Sequence, residues 1–356
     1  MKKKILLGYN YILHYRIPLF NLLSKKYDLT VLHSGNSILK PNDKYKEIIF
    51  KVKKLGPFFI QKGILSEVNN EKYDYIILLF DLRWINTIIS IYLRNKKAKL
   101  ILWGAWMTNS AIANRARIFL SKKADASLFY TQQARTDFIN SGVDSENTFV
   151  ANNTFDIGER IKSFEYEIKD QILFVGKLDE RKENEILIKG YANIINKIPS
   201  HIQLTIIGDG FEMEKLKRLV KKENIENKVI FVGSIVDPKI LRTYYKKAIV
   251  SVSFGQAGLS VLQSLGYGVP FLTKENAISG GEITNIKHRI NGILCSDNVL
   301  SLEEALIELC NNKEFANNLG RNAYDYYGKY CTIQNMNQGF LDAIENTNFA
   351  KVDDIN

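Results

Sequence analysis

The chain is poor in the residues that staple, ligate or span. Its three cysteines, Cys295, Cys310 and Cys331, have no CxxC spacing. A disulfide framework or a zinc site is therefore not expected, and a reducing cytoplasm is the simplest compartment. The four histidines (His14, His33, His201, His288) show no metal-ligand spacing, and His201 and His288 are expected at the surface. No uninterrupted apolar run approaches the roughly 20 residues that span a bilayer. The opening MKKKILLGYNYILHYR has the basic end and short apolar run of a leader. Tyr9, Asn10, His14 and Arg16 interrupt it, and no small-residue cleavage site follows, so residues 4–9 read as a first buried strand. Several motifs are missing as well. Without GxxxxGK[ST], P-loop phosphoryl transfer is not supported, and without GxGxxG in the first βα unit a dinucleotide reader is not expected. There is no GxSxG elbow. Nor does an Asp-x-Asp stand at a strand end to hold a divalent metal on a diphosphate.

What remains is an ordinary globular composition, 46% apolar and 24% charged, in 356 residues. That length suits two domains. The net charge of +11 is uneven. Residues 1–150 carry 24 Lys and Arg against 11 Asp and Glu, whereas residues 151–356 carry 25 against 27. A basic half facing an anionic surface and a merely lysine-rich solvated half both fit this asymmetry. Nothing matches a nucleic-acid reading motif, and no base-stacking aromatic array interleaves with the basic residues.

Both halves alternate short apolar runs with amphipathic stretches. In the first, KKILLGY, LTVLHSG, YDYIILLF, KLILWG and ASLFY read as strands, and RIPLFNLLSKKY, residues 84–94 and residues 110–123 as helices. The second repeats the pattern with QILFVG, IQLTIIGDG, KVIFVG, IVSVSF and VPFLT, and Asp237 is the expected N-cap of DPKILRTYYKKA. The alternation predicts an α/β fold of two doubly wound, Rossmann-like domains with parallel sheets facing a cleft. The domains are expected over 1–165 and 166–334, joined by a polar linker at 151–169. A final helix over about 335–356 is expected to pack back on the first domain. Ligands of such sheets bind outside the carboxyl ends of the strands.

Three strand-to-helix turns of the second half carry the candidate residues. FVGKLDERKENE places Gly176 and Lys177 just past a strand and Lys182 at the next helix, a plausible diphosphate clamp. A solvated lysine pair is the plainer alternative. IIGDGFEME sets Gly208 and Gly210 at a strand end, and VIFVG sets Gly233. In SVSFGQAGLSVLQSLGYGVP, the turn of Gly255, Gln256, Ala257 and Gly258 leads into a helix at Leu259 whose amides would favour an anion. ISGGEITNIKHRINGIL adds Gly280 and Gly281 on the same rim.

These residues resemble the nucleotide-binding domain of retaining glycosyltransferases of family 4, which have the GT-B fold. VGKLDERKE is similar to that family's G-R-L-x-x-x-K-G turn, with Lys177 at the arginine, Lys182 at the lysine and Glu183 at the glycine. IIGDG resembles its I-G-x-G, and VIFVG its F-x-G. The segment from Gly255 resembles E-G-F-G-L-x-x-L-E-A followed by G-x-P, and GGEIT its G-G-x-x-E. In the first half, FDLRWINT, LILWGAW and VANNTFD are similar to N-x-R, W-G-H-G and P-N-T-x-D. The departures are Gly255 and Gln263 at the two glutamates of E-x7-E, Thr284 at the glutamate of G-G-x-x-E, and Ala105 at the histidine.

The resemblance implies a metal-independent hexosyltransferase that needs no cofactor. It would move a sugar from a nucleoside diphosphate to a lipid-linked glycan of bacterial surface polysaccharide, with retention. In the family's favoured mechanism the leaving diphosphate takes the acceptor's proton, so no enzyme nucleophile is required. Lys177 and Lys182 would hold the diphosphate with the amides of residues 256–259, and Gln263 the ribose. Gly176, Gly208, Gly210, Gly233, Gly280 and Gly281 would shape the donor rim. Asp81, Arg83 and Trp106 are the acceptor-side candidates, with a local Asp81–Arg83 ion pair and a core Trp106 as the alternatives. NRARIFLSKK (114–123) could lie on an anionic inner leaflet through Ile118, Phe119 and Leu120. A non-catalytic binding or assembly partner and a sugar-nucleotide epimerase of the same fold are the competing functions. The epimerase would require acid and base side chains that the sequence offers sparsely.

Overall fold

A computed structural model of the chain describes residues 1–347. The chain divides into two compact units, one holding Met1–Asn153 and the segment from Ile333, the other Thr154–Thr332.

In the first unit the strands are β1 (Lys4–Gly8), β2 (Asp28–His33), β3 (Lys46–Ile49), β4 (Val52–Leu55), β5 (Phe58–Gln61), β6 (Tyr75–Leu79), β7 (Lys99–Trp103), β8 (Ala126–Phe129) and β9 (Thr148–Val150). Seven of them form a parallel sheet in the order β3-β2-β1-β6-β7-β8-β9, and β4 and β5 form a separate antiparallel hairpin. The central strands are apolar runs buried on both faces, as parallel sheets require. Side chains alternate between two cores: Ile5 and Leu7 face one, Leu6 the other. Helices α1 (Ile17–Lys26), α2 (Ile64–Val68), α3 (Ile85–Leu93), α4 (Ala111–Ser121) and α5 (Gln132–Asn140) complete the crossovers. The C-terminal helix, Ile333–Asn346, buries Met336, Phe340 and Ile344 in the core that holds Trp103. The rest of the helix expected to residue 356 lies outside the described residues from 348 on.

The second unit has six parallel strands: β10 (Gln171–Val175), β11 (Gln203–Ile207), β12 (Val229–Gly233), β13 (Ala248–Val252), β14 (Phe271–Lys274) and β15 (Gly292–Cys295). Their order is β12-β11-β10-β13-β14-β15. Six helices accompany them: α6 (Asn184–Ile194), α7 (Met213–Lys222), α8 (Pro238–Lys247), α9 (Leu259–Gly266), α10 (Val299–Asn311) and α11 (Lys313–Tyr330). Asp237 caps α8 by accepting from the Lys239 amide at 2.8 Å, with Pro238 at the first turn. Ile172 and Phe174 face one core, Leu173 and Val175 the other.

The unit boundary falls after Asn153, not near 165, and residues 154–165 are not a free linker. Ile157 and Phe164 are buried in the second unit, and Thr154 and Ser163 are buried with them. Few but well-spaced apolar side chains hold this polar-looking stretch down. In both sheets the strand order reverses at one point, between β1 and β6 and between β10 and β13. Ligands of doubly wound sheets bind at such points.

Candidate functional site

The second sheet reverses between β10 and β13, and the turns that leave these two strands are hydrogen-bonded to each other. The Gly255 amide donates to the Lys182 carbonyl at 3.1 Å. After β10 the chain makes a short 3-10 turn, Glu180–Lys182, preceded by Asp179 at its N-cap. That carboxylate accepts from Arg181 at 2.7 Å, which holds its pKa below the ordinary value. Lys182 is buried, whereas Lys177 is exposed. A Cβ on Gly176 would lie 3.7 Å from Lys182 Nζ, so the ammonium rests over the glycine turn at the strand end. No hydrogen bond or ion pair holds Nζ among the described residues. Burial lowers the Lys182 pKa; nearby Asp179 and Glu282 oppose this, and Arg181 adds to it.

Gly208 and Gly210 bring the next turn hard against this one. Gly208 takes φ +147, and Cβ atoms on Gly208 and Gly210 would meet the Gly176 and Leu178 carbonyl oxygens at 1.8 and 2.1 Å. Both glycines are thus explained by backbone packing that fixes the β10 turn. Cβ atoms on Gly233 (φ +87) and Gly258 would meet nothing within 4 Å, so those two turns face open space.

At the start of α9 the expected donors are sorted by their partners. The Ala257 amide is taken by the Ile278 carbonyl at 2.9 Å, and Gln256 pairs with Ile278 in a parallel bridge. The amides of Gly258, Leu259 and Ser260 have no carbonyl partner among the described residues and point out of the helix start. Sequence reasoning does not reach Ser260; its hydroxyl is buried and has no hydrogen bond among the described residues. One turn on, Gln263 is 8% exposed, and its side chain has no partner among the described residues. Residues 260 and 263 share one helix face.

The Gly280–Gly281 turn is internally satisfied. Glu282 turns back to accept from the Gly280 amide at 2.9 Å, and Ser279 Oγ accepts from Gly281 at 3.1 Å. Gly281 itself needs glycine, at φ +115. Thr284 donates to the Gly281 carbonyl at 2.7 Å. The two glycines therefore form a turn that offers no free amides.

In the first unit, Asp81 follows β6 at that sheet's own reversal. Arg83 clasps both its oxygens, at 2.7 Å from Nη2 and 3.1 Å from Nε. Trp106 is 43% exposed and is not core; Arg117 lies 5.7 Å from its ring. Trp103, three residues earlier, is fully buried in the core, and Trp84 is buried as well. Of the apolar trio expected to meet a membrane, Leu120 is buried and Ile118 packs on the core. The outward stripe of α4 is instead Ile112, Arg115 and Phe119, continued past the helix end by Lys122 and Lys123, all exposed. No helix among the described residues is long and apolar enough to cross a membrane.

Comparison with known proteins fits this geometry. Residues 158–326, nearly the whole second unit, match the family of glycosyl transferases group 1. The poly(ribitol-phosphate) alpha-N-acetylglucosaminyltransferase of Staphylococcus aureus is 23% identical over 60% of this chain, and the chain spans only 42% of that relative's length. A glycosyltransferase of Methanocaldococcus jannaschii is 25% identical over 81% of this chain and 71% of its own. The crystal structure of Anabaena HepE in complex with UDP superposes with a TM-score of 0.73 at 17% identity, covering 96% of this chain and 99% of that one. The fold is the GT-B fold of two Rossmann-like domains. The family match covers the second unit, a little under half of the chain, and the solved structure shows the fold of the whole.

Proposed function

We propose that the protein is a retaining hexosyltransferase that moves a sugar from a nucleoside diphosphate to a lipid-linked glycan in bacterial surface polysaccharide synthesis. The observation that carries the reading is Lys182: a largely buried lysine with no hydrogen bond or ion pair among the described residues, on the edge where the amides of Gly258, Leu259 and Ser260 have no carbonyl partner among them. A buried cation of this kind is costly unless an anion joins it. A diphosphate spanning Lys182 and the amides of Gly258, Leu259 and Ser260 would complete both. Lys177, exposed on the same turn, would meet the outer phosphate oxygens. Gln263 and Ser260 offer unpaired groups to ribose hydroxyls. The proteins named above include a poly(ribitol-phosphate) alpha-N-acetylglucosaminyltransferase and one crystallised with UDP.

In the reaction the bond between the anomeric carbon and the diphosphate oxygen breaks, and a bond to the acceptor hydroxyl forms on the same face. The leaving diphosphate takes the acceptor's proton. Negative charge grows on the diphosphate as it departs, and Lys182 and the helix amides are already aimed at it. The lysines supply the positive charge, which makes metal-independent transfer part of the proposal.

Asp81, Arg83 and Trp106 are the proposed acceptor contacts. Asp81, preorganised by Arg83, still has lone pairs for a sugar hydroxyl, and the exposed Trp106 ring offers a face for stacking. The basic stripe of α4, with Ile112 and Phe119 standing out of it, would hold the protein at the anionic inner face of the membrane. Each basic residue near such a surface contributes about 1 kcal/mol.

The test is transfer itself. Purified protein is given UDP- and GDP-hexoses with a polyprenyl-diphosphate-linked oligosaccharide, and the product's anomeric configuration is read by NMR. A product of the donor's configuration supports the reading. An inverted product contradicts retention, and no transfer from any donor contradicts the activity.

A further inference from the structure

Glu183 and Gly255 occupy each other's space. Glu183 stands directly after Lys182 and takes φ 54, ψ 40, a left-handed conformation that glycine adopts freely and glutamate rarely. A Cβ built on Gly255 would lie 2.7 Å from Glu183 Cγ and 2.8 Å from its Cδ. The same atom would lie 2.5 Å from the Arg181 carbonyl oxygen. Gly255 cannot move away, because its amide is bound to Lys182 and its carbonyl to the Ile278 amide at 2.9 Å. The Glu183 carboxylate thus fills the place that a side chain from the α9 turn would take.

That carboxylate is also held in place. Lys274, at the end of β14, donates to both Glu183 oxygens at 2.8 and 2.9 Å and to Asp297 at 2.9 Å. Lys274 is buried; burial works against its charge, but the hydrogen bonds to Glu183 and Asp297 outweigh burial and raise its pKa. The Glu183 side chain keeps 31% of its surface open, so its remaining lone pairs face solvent beside the Lys182 turn.

We propose that Glu183 is a specificity-determining carboxylate of the donor site, accepting hydrogen bonds from the hydroxyls of the transferred sugar. This rests on the donor-site reading above. A carboxylate fixed by Lys274 accepts and does not donate, so it favours a ligand with adjacent O–H groups and disfavours an acidic sugar. The left-handed backbone at 183 is the kind of local strain that persists at functional sites.

The test uses the full chain and two variants, Glu183→Gln, which keeps the shape, and Glu183→Gly, which suits the left-handed backbone. UDP, GDP and their glucose, galactose and N-acetylglucosamine conjugates are titrated against each. The readout is the affinity of the preferred conjugate relative to its free nucleotide. In both variants that ratio is expected to fall by about tenfold, with free-nucleotide affinity within about twofold of native. Glu183→Gly is expected to melt no lower than native. An unchanged ratio in both variants overturns the proposal. Parallel loss of nucleotide and conjugate, with lower melting in both, would make Glu183 a structural counter-ion for Lys274 and also overturns it. If the native chain binds neither nucleotide, the donor-site reading falls first, an outcome distinct from either of these.

Discussion

The carbonyl oxygen of Gly176 stands 1.8 Å from where a Cβ on Gly208 would lie, so the turns after β10 and β11 touch backbone to backbone. Gly208 also takes φ +147. Gly208→Ala must therefore push the Gly176 turn aside, and Lys182 rests on that turn. The expected loss is about 3 kcal/mol of stability, read by denaturant unfolding, together with weaker nucleotide binding. An alanine variant of native stability would show that the two turns are not in contact.

Lys182 gives a pH dependence whose sign follows from its lowered pKa. Between the folded value and the ordinary 10.5, the free protein holds Lys182 neutral more often than the unfolded chain does. A bound diphosphate favours the charged form, so binding on the alkaline side is expected to take up a proton and to weaken as pH rises. Calorimetry in two buffers of different ionisation enthalpy measures the uptake; equal apparent enthalpies in the two buffers would contradict it.

The same shift bears on stability. Below the folded pKa the buried charge is unfavourable to folding, and this penalty fades as pH rises to the ordinary lysine value. Lys182→Met is therefore expected to raise the melting temperature of the ligand-free protein at neutral pH while removing nucleotide binding. A variant that lost stability would mean that Nζ is paired.

On the proposed donor site, Gln263 is expected to separate nucleoside from phosphate recognition. Gln263→Leu fills similar volume but cannot hydrogen-bond. It is expected to weaken UDP or GDP by about 1 kcal/mol, roughly fivefold, and to leave inorganic pyrophosphate binding unchanged. Equal loss for both ligands would place Gln263 at the diphosphate.

The α4 stripe is tested away from the donor site. Ile112→Ser with Phe119→Ser is expected to cut binding to vesicles containing anionic lipid, with donor affinity and melting temperature intact. Binding to neutral and anionic vesicles alike would contradict the electrostatic part of the account.

Much of the fold was legible because buried parallel strands are continuous apolar runs: ILLG, YIILL and QILFV announce themselves, and Asp237-Pro238 announces a helix start. The edge strand Lys46–Ile49 and the hairpin Val52–Gln61 did not stand out, since KEII and VKKL carry charges that an edge tolerates and a core does not. The place of Lys182 was readable from its turn. Its contrast with exposed Lys177 was not, because burial depends on which neighbours the turn folds under. Glu183, Lys274 and Ser260 were missed for the same reason. The exchange between Glu183 and Gly255 joins turns from different strands, and only the sheet order brings β10 beside β13. The signal available in the sequence was the paired departure itself, a glutamate at a glycine position and a glycine at a glutamate position.

The central claim is a live donor site on the second unit, centred on Lys182. Its most direct test is calorimetric titration of the full chain with UDP, GDP and their sugar conjugates, repeated on Lys182→Met. Selective binding of one nucleotide by the native protein, lost in the variant, is the expected result. No binding to any of them, or binding that Lys182→Met leaves unchanged, would contradict the account.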